Sequence, residues 1–582
     1  MGRALASAAV ALVLAGPALA APRVPPVMKG PLGPPQQRLA KGEATRIFLQ
    51  DDKVADWLRH YRPRLRQTEA TYGSDEQLWT VKVWAGEAGE VATGKVDDTS
   101  GAVVEAWTGP QVAWKMARGS DGAFGGREIN SAPVWLGFCL LFLVGLADLR
   151  RPLSLRNLDL LALLSFSVSL WFFNRGEIFT SVPLVYPPLL YLLGRMSWSA
   201  WRGRLATGAV PVWPVWLLAA ATVFAAGFRL GLNVRASNVI DVGYSGVIGA
   251  HRIANGESPY RHFPVEAGKA CGPSDSEGET RERVQTNGRC ESANPQGDTY
   301  GPVAYEAYLP GYLALGWTGK WDDLPAAHFA SIGFDLLCLL GLALVGLRFG
   351  GTRLAVTLAF AWAAYPFTQY VSSSNTNDAL PPLFLIWGFW LVTSPVARGA
   401  AVALAGWTKF APLLVAPLWA SYPERRVRPT LRFAGGFVAA TLAAFSILLL
   451  EPGLVDAAKT FWHRTLGWQI DRESPFSIWD WRQYHAGLPD LHLVQRVLEV
   501  LLVLGVAAVY FVPRRKSPLQ LAALTAALLI GFELVLTHWF YLYLPWFFPF
   551  AAFAVLAPAA EPVRAAVRAP LERPRQELVG VE

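Results

Sequence analysis

From Pro133 onward the chain alternates long apolar runs with short polar joints, and the runs are too long for strands. A helix needs about 20 apolar residues to cross a bilayer. The pattern predicts membrane spans near 134–149, 158–174, 179–195, 211–230, 327–347, 354–372, 379–394, 431–450, 494–513, 518–536 and 539–557. Two segments do not fit. "YGPVAYEAYLPGYLALGW" (300–317) carries prolines and a glutamate and reads as a re-entrant or interfacial element. "GAAVALAGWTKFAPLLVAPLWA" (399–420) carries Lys409 in its middle, and both its flanks read as cytoplasmic, Arg398 before it and "ERRVRPTLR" after it. That segment reads as a hairpin with "WTKFAP" at its tip.

Ahead of the spans the periodicities are shorter. "DDKVADWLRHYRP" puts Val54, Trp57, Leu58 and Tyr61 at helical spacing. "QLWTVKVWAG", "EVATGKVDD" and "AVVEAWTG" read as strands, with "DDTSG" as a turn. One helix and about three strands predict a small α+β domain.

Charge orients this layout. The loops "LRRPLSLR", "RMSWSAWRGR", "RFGGTR", "ERRVRPTLR" and "PRRKS" fall on one side, which the positive-inside rule makes cytoplasmic. The first residues, "MGRALASAAVALVLAGPALA", have the charged start, apolar run and small-residue end of a secretory signal. The expected organisation is therefore a signal over 1–21 and a Pro-rich linker over 22–40. A small extracytoplasmic domain follows over 41–130, then a polytopic α-helical domain over 131–560 and a cytoplasmic tail over 561–582. Eleven spans fit this sidedness, and thirteen do if both doubtful segments cross. Loops 231–304 and 451–493 then lie outside the bacterial-type cytoplasmic membrane.

Hydrophobic residues make up 53% of the chain and charged ones 16%, a membrane-protein composition. The net charge of +8 is scattered over short loops, so no nucleic-acid partner is expected. Cys139 and Cys338 sit in apolar runs. Cys271 and Cys290 flank a polar stretch on the oxidising side, where a disulfide is expected. No cluster has metal-ligand spacing; Asp322 and Asp323 read as helix caps.

The chemistry-capable residues fall on the outer side. Asp241 opens a predicted helix, "DVGYSGVIGAHRIANG", in which Gly243, Gly246 and Gly249 leave one smooth side for close approach. An acid there also suits the helix dipole. "FWHRTLGWQIDRESPFSIWDW" offers His463, Arg464 and Arg472 beside interfacial aromatics. Lys409 at a hairpin tip costs a few kcal/mol unless it finds a polar cavity or a partner. His538 starts the last span. "SSSNTND" (372–378) reads as a turn at an outer tip, with Asn375, Asn377 and Asp378 available to hydroxyls.

These features together resemble the GT-C membrane glycosyltransferases, most closely the glycosyltransferase 87 type that uses polyprenyl-phosphomannose. The resemblance runs through "DVGYSGVIGAHRIANGESPY", "AYPFTQYVSSSNTNDALPPLFLIWGFW" and "ARGAAVALAGWTKFAPLLVAPLW", over roughly 210–560. The front domain resembles the PepSY type through its "VDDTSG" turn. The first resemblance implies inverting transfer of a sugar from a polyprenyl-phosphate donor, without a cofactor, to an outer lipid, glycan or protein acceptor. A divalent ion stays open. Asp241 is the expected general base. Lys409, His463, Arg464, Arg472 and His538 are expected at the donor phosphate. Tyr244, Asn375, Asn377 and Asp378 are expected at the sugar or acceptor. A transporter and a non-catalytic scaffold are the competing classes.

Overall fold

A computed structural model describes residues 37–557, apart from internal stretches at 109–123, 204–212, 263–279, 285–289, 294–299, 319–323, 470–473, 482–488 and a few shorter gaps. The signal, the Pro-rich linker and the tail lie outside the described residues. So do Cys271, Asp322, Asp323, Arg472 and the side chain of Cys290, and with them the expected disulfide.

The chain is mostly helical, with a small antiparallel sheet at its N-terminal end. The sheet has four strands in sequence order, β1 (Arg66–Gly73), β2 (Leu78–Ala85), β3 (Glu90–Asp97) and β4 (Val103–Thr108). Two helices, α1 (Lys41–Gln50) and α2 (Asp52–Leu58), cover it. Alternation in β2 buries Trp79, Val81, Val83 and Ala85 on one face. They pack with Phe48 of α1 and with Val54 and Leu58 of α2 as a separate core. The expected helix and three strands are present. The sequence reading missed α1 and β1, because β1 buries only Ala70 and so carries no alternation of apolar residues.

The "VDDTSG" turn does structural work. Asp97 accepts from the backbone and hydroxyl of Ser100. Asp98 is buried and accepts from Arg38 N at 2.7 Å, Leu39 N at 2.9 Å and Trp79 Nε1 at 2.9 Å. It clips the incoming chain onto the sheet. The domain rests on the helical part through Trp57 against Phe179, whose other edge meets Trp481.

Among the described residues, six helices are long and apolar enough to cross a membrane: Leu155–Phe173, Val215–Ala236, Pro325–Ala364, Val427–Leu450, His492–Phe511 and Pro518–Val535. Shorter apolar helices cover Ala132–Leu146, Ala411–Ala420 and Tyr541–Leu556. Each of the eleven expected spans coincides with helix, although prolines break several into short pieces. Pro325–Ala364 is two helices joined at Gly351, whose φ is +70°. A Cβ on Gly346 would lie 2.3 Å from Ala355, so the chain folds back there as the "RFGGTR" loop predicts. At 399–420 the chain also doubles back, with Gly406 packed on Leu413 and Lys409 at the tip. The segment 300–317 forms two short helices, Pro302–Glu306 and Leu309–Leu315.

Arg398, the flank of the 399–420 hairpin, is part of the packed fold. It is 1% exposed and donates to the carbonyls of Val392, Trp419 and Tyr422. Those are helix-end carbonyls that otherwise lack donors. This arginine fastens the hairpin base and is not a solvated loop charge.

Candidate functional site

The site is built around the segment 372–378, between Pro366–Ser373 and Leu380–Trp390. The sequence reading made it an outer turn, but every residue in it is buried. The physical reason lies at Asn375. It takes the left-handed conformation, φ 54°, which asparagine tolerates better than most residues. Its amide donates to Ser237 Oγ at 2.8 Å and to Asn238 O at 2.9 Å, and accepts from Asn233 Nδ2 at 2.9 Å. His328 Nδ1 meets Asn233 Oδ1 at 3.0 Å. Asn375 therefore has its hydrogen-bonding capacity committed to the fold, and it positions the loop.

The helix opened by Asp241 (Asp241–Ala254) leans on this loop. Asn238 N and Ile240 N donate to Ser373 O and Ser374 O. Asp241 is half-buried in the first turn. The smooth glycine side is real, and the protein fills it. A Cβ on Gly243 would lie 2.2 Å from the Asn375 carbonyl oxygen. On Gly246 and Gly249 it would lie 2.4 Å from the rings of Tyr308 and Tyr305. The close approach expected of these glycines is that of packed side chains and backbone. Tyr244 is buried edge-on to Trp317 at 5.9 Å.

Two and three residues beyond Asn375 the situation reverses. Asp378 is fully buried and accepts from Lys409 Nζ at 2.6 Å. Lys409 is 7% exposed. Its ammonium lies 4.6 Å from the ring of Tyr300, 5.3 Å from Tyr543 and 5.6 Å from Trp546. Such cation–ring contacts are attractive when desolvated. The lysine thus has the partner that its place in the sequence demanded. Four other polar atoms here lack a hydrogen-bond partner among the described residues: Asp378 Oδ2, both amide atoms of Asn377, and Trp546 Nε1. Unpaired buried polar atoms are rare and call for an explanation.

The candidate phosphate residues divide. Arg464 lies near Tyr305, whose hydroxyl accepts from Tyr300 N, so it adjoins the aromatic wall around Lys409. His463 is exposed on the neighbouring turn. It lines an apolar groove of about 440 Å³ with Leu454, Val455, Ala458, Lys459 and Trp462. His538 has a different set of neighbours. Its Nδ1 pairs with Ser474 Oγ at 2.8 Å, and its ring lies against Phe476 and Phe540.

Several relevant groups escaped the sequence reading. Tyr300, Tyr543 and Trp546 are three aromatics in a chain with 24 tryptophans and 17 tyrosines, so none stood out. Glu306 is half-buried beside Tyr260, and burial pushes its carboxyl up to about 7. Among the described residues no group of three His, Cys, Asp or Glu could hold a metal ion. In comparisons with known proteins, no family model, curated protein or solved structure matches the chain.

Proposed function

We propose that this protein is a membrane glycosyltransferase of the GT-C type, with its N-terminal PepSY-like domain and active site outside the cytoplasmic membrane. One observation carries the reading. The start of Asp241's helix packs on residues 373–375 of one buried loop, and the same loop carries Asp378, paired with Lys409, three residues further on. A part-buried acid, a buried polar cluster and an arginine near Tyr305 are parts that glycosyl transfer from a phosphate can use.

The chemistry assigns those parts. An acceptor hydroxyl attacks the anomeric carbon of a polyprenyl-phosphate sugar. The new carbon–oxygen bond forms as the bond to the phosphate oxygen breaks, with inversion. The phosphate leaves with the electron pair, and Asp241 takes the hydroxyl proton as general base. Arg464 suits the departing phosphate because a guanidinium can offer two parallel donors. The apolar groove beside His463 suits the lipid chain. The acceptor is an outer lipid, glycan or protein.

Transport is the second reading, favoured by two ion pairs buried among the helices, Arg229–Asp335 and Arg195–Asp159. Both are completed by further hydrogen bonds, which marks them as staples and not as exchangeable ion sites.

The test is turnover of radiolabelled polyprenyl-phosphate sugars by membranes carrying the protein. Asp241→Asn should lower turnover by about 10²–10⁴-fold while the variant folds and still binds donor. A folded Asp241→Asn protein with full activity overturns the assignment.

A further inference from the structure

This inference rests on the transferase reading above and deepens it. We propose that Asn377, Asp378, Lys409 and Trp546, walled by Tyr300 and Tyr543, form the subsite for the donor's hexose ring. In consequence, Lys409 does not bind the phosphate.

Charge gives the first argument. The Lys409 ammonium is already neutralised by Asp378 at 2.6 Å in a nearly water-free place. A phosphate entering there would bring its negative charge against a buried carboxylate, and like charges repel strongly at low dielectric. A neutral ligand meets no such barrier.

Hydrogen-bond type gives the second. Asp378 Oδ2 and Asn377 Oδ1 are acceptors, while Asn377 Nδ2 and Trp546 Nε1 are donors, and all four lack partners among the described residues. A phosphate diester oxygen only accepts, so it would leave the two acceptors unmatched. Each sugar hydroxyl both donates and accepts. A set of adjacent hydroxyls is the ligand class that matches a mixed set of donors and acceptors.

Shape gives the third. Three aromatic rings surround the ammonium, and the Tyr543 and Trp546 rings stack at 4.4 Å. A hexose ring has apolar C–H faces as well as a polar rim, so rings and polar atoms serve it together. The Asn375 carbonyl, which touches Gly243, links this cluster to the first turn that holds Asp241. The phosphate then falls to Arg464, near Tyr305.

The experiment uses full-length protein in nanodiscs and polyprenyl-phosphate hexoses that differ at C2 or at C4. Asn377→Ala, Trp546→Phe and the charge-neutral pair Asp378→Asn/Lys409→Met are compared after a folding check by size exclusion and circular dichroism. The expected result is that the kcat/KM ratio between epimers collapses by about tenfold or more, as when a site loses its hydroxyl contacts. Inhibition by sugar-free polyprenyl phosphate should stay unchanged. The opposite pattern, weaker inhibition with epimer discrimination intact, makes Lys409 a phosphate ligand and overturns the proposal. So do folded variants that change neither. If the unaltered protein transfers none of the sugars, the transferase reading fails on its own. Saturation-transfer NMR with free methyl hexosides then decides the subsite. A signal lost in Asn377→Ala upholds it, and no signal with the unaltered protein overturns it.

Discussion

Two buried ion pairs in this molecule have the same charges and nearly the same burial, yet they are finished differently. Arg229 grips both oxygens of Asp335 and also donates to Ala363 O at 3.3 Å and Thr368 Oγ1 at 3.0 Å. Trp362 Nε1 adds a bond to Asp335 at 2.8 Å. Lys409 and Asp378 share a single bond, and the second carboxylate oxygen has no partner among the described residues. A fully connected buried network rigidifies a fold, whereas a partly connected one carries a desolvation cost without return. The first pair is complete within the fold; the second, open among the described residues, is the one that the proposed hexose subsite uses.

The comparison breaks most sharply by removing one cation. Arg229→Met strands Asp335 together with three polar partners and should cost about 3–5 kcal/mol, read as a fall in melting temperature in detergent. Adding Asp335→Asn should recover little, because Trp362, Ala363 and Thr368 still lose bonds. The Lys409→Met/Asp378→Asn double variant should instead melt within about 1 kcal/mol of the parent, since hydrophobic replacement of a buried pair is often neutral. Equal losses in the two double variants would erase the distinction.

A finer version sits within one loop. Asn375→Ala removes bonds to four residues, Ser237, Asn238, Ser373 and Asn233, for an expected loss of about 1–3 kcal/mol. Asn377→Ala removes no hydrogen bond within the described residues, so its stability should stay within about 0.5 kcal/mol. Chemical denaturation of the two variants side by side checks this. A large loss for Asn377→Ala would mean its amide is committed to the fold after all.

Hydropathy carried the helices, because a run of apolar residues is a local property. It could not carry pairings between distant positions. Lys409 declared its need for a partner, and Asp378 was a candidate for a different reason, but nothing in either neighbourhood joined position 378 to position 409. The glycines at 243, 246 and 249 announced a close approach correctly. What approaches comes from residues 305, 308 and 375, far along the chain. The 372–378 segment misled because small polar residues usually mark an exposed turn. Here an αL asparagine and its network bury that turn instead.

The smallest expected effect concerns a third buried carboxylate, one that neutral donors complete and that water can titrate. Burial alone would raise the Asp98 carboxyl. The bonds from Arg38 N, Leu39 N and Trp79 Nε1 outweigh it and hold the group below its ordinary 3.8. A depressed folded-state value means that the unfolded chain binds the proton more readily. The stabilisation is therefore whole above pH 3.8 and drains away as the pH falls through the lower folded value. Asp98→Asn weakens the same bonds at neutral pH, by about 1 kcal/mol, and should flatten the acid dependence of the N-terminal domain. Tryptophan emission near Trp79, followed from pH 6 to about pH 2 in the full-length protein and the variant, reads both effects. Matching acid transitions in the two would show that Asp98 does not hold the incoming strand, and that a closed set of hydrogen bonds is not what separates structural carboxylates from the one at 378.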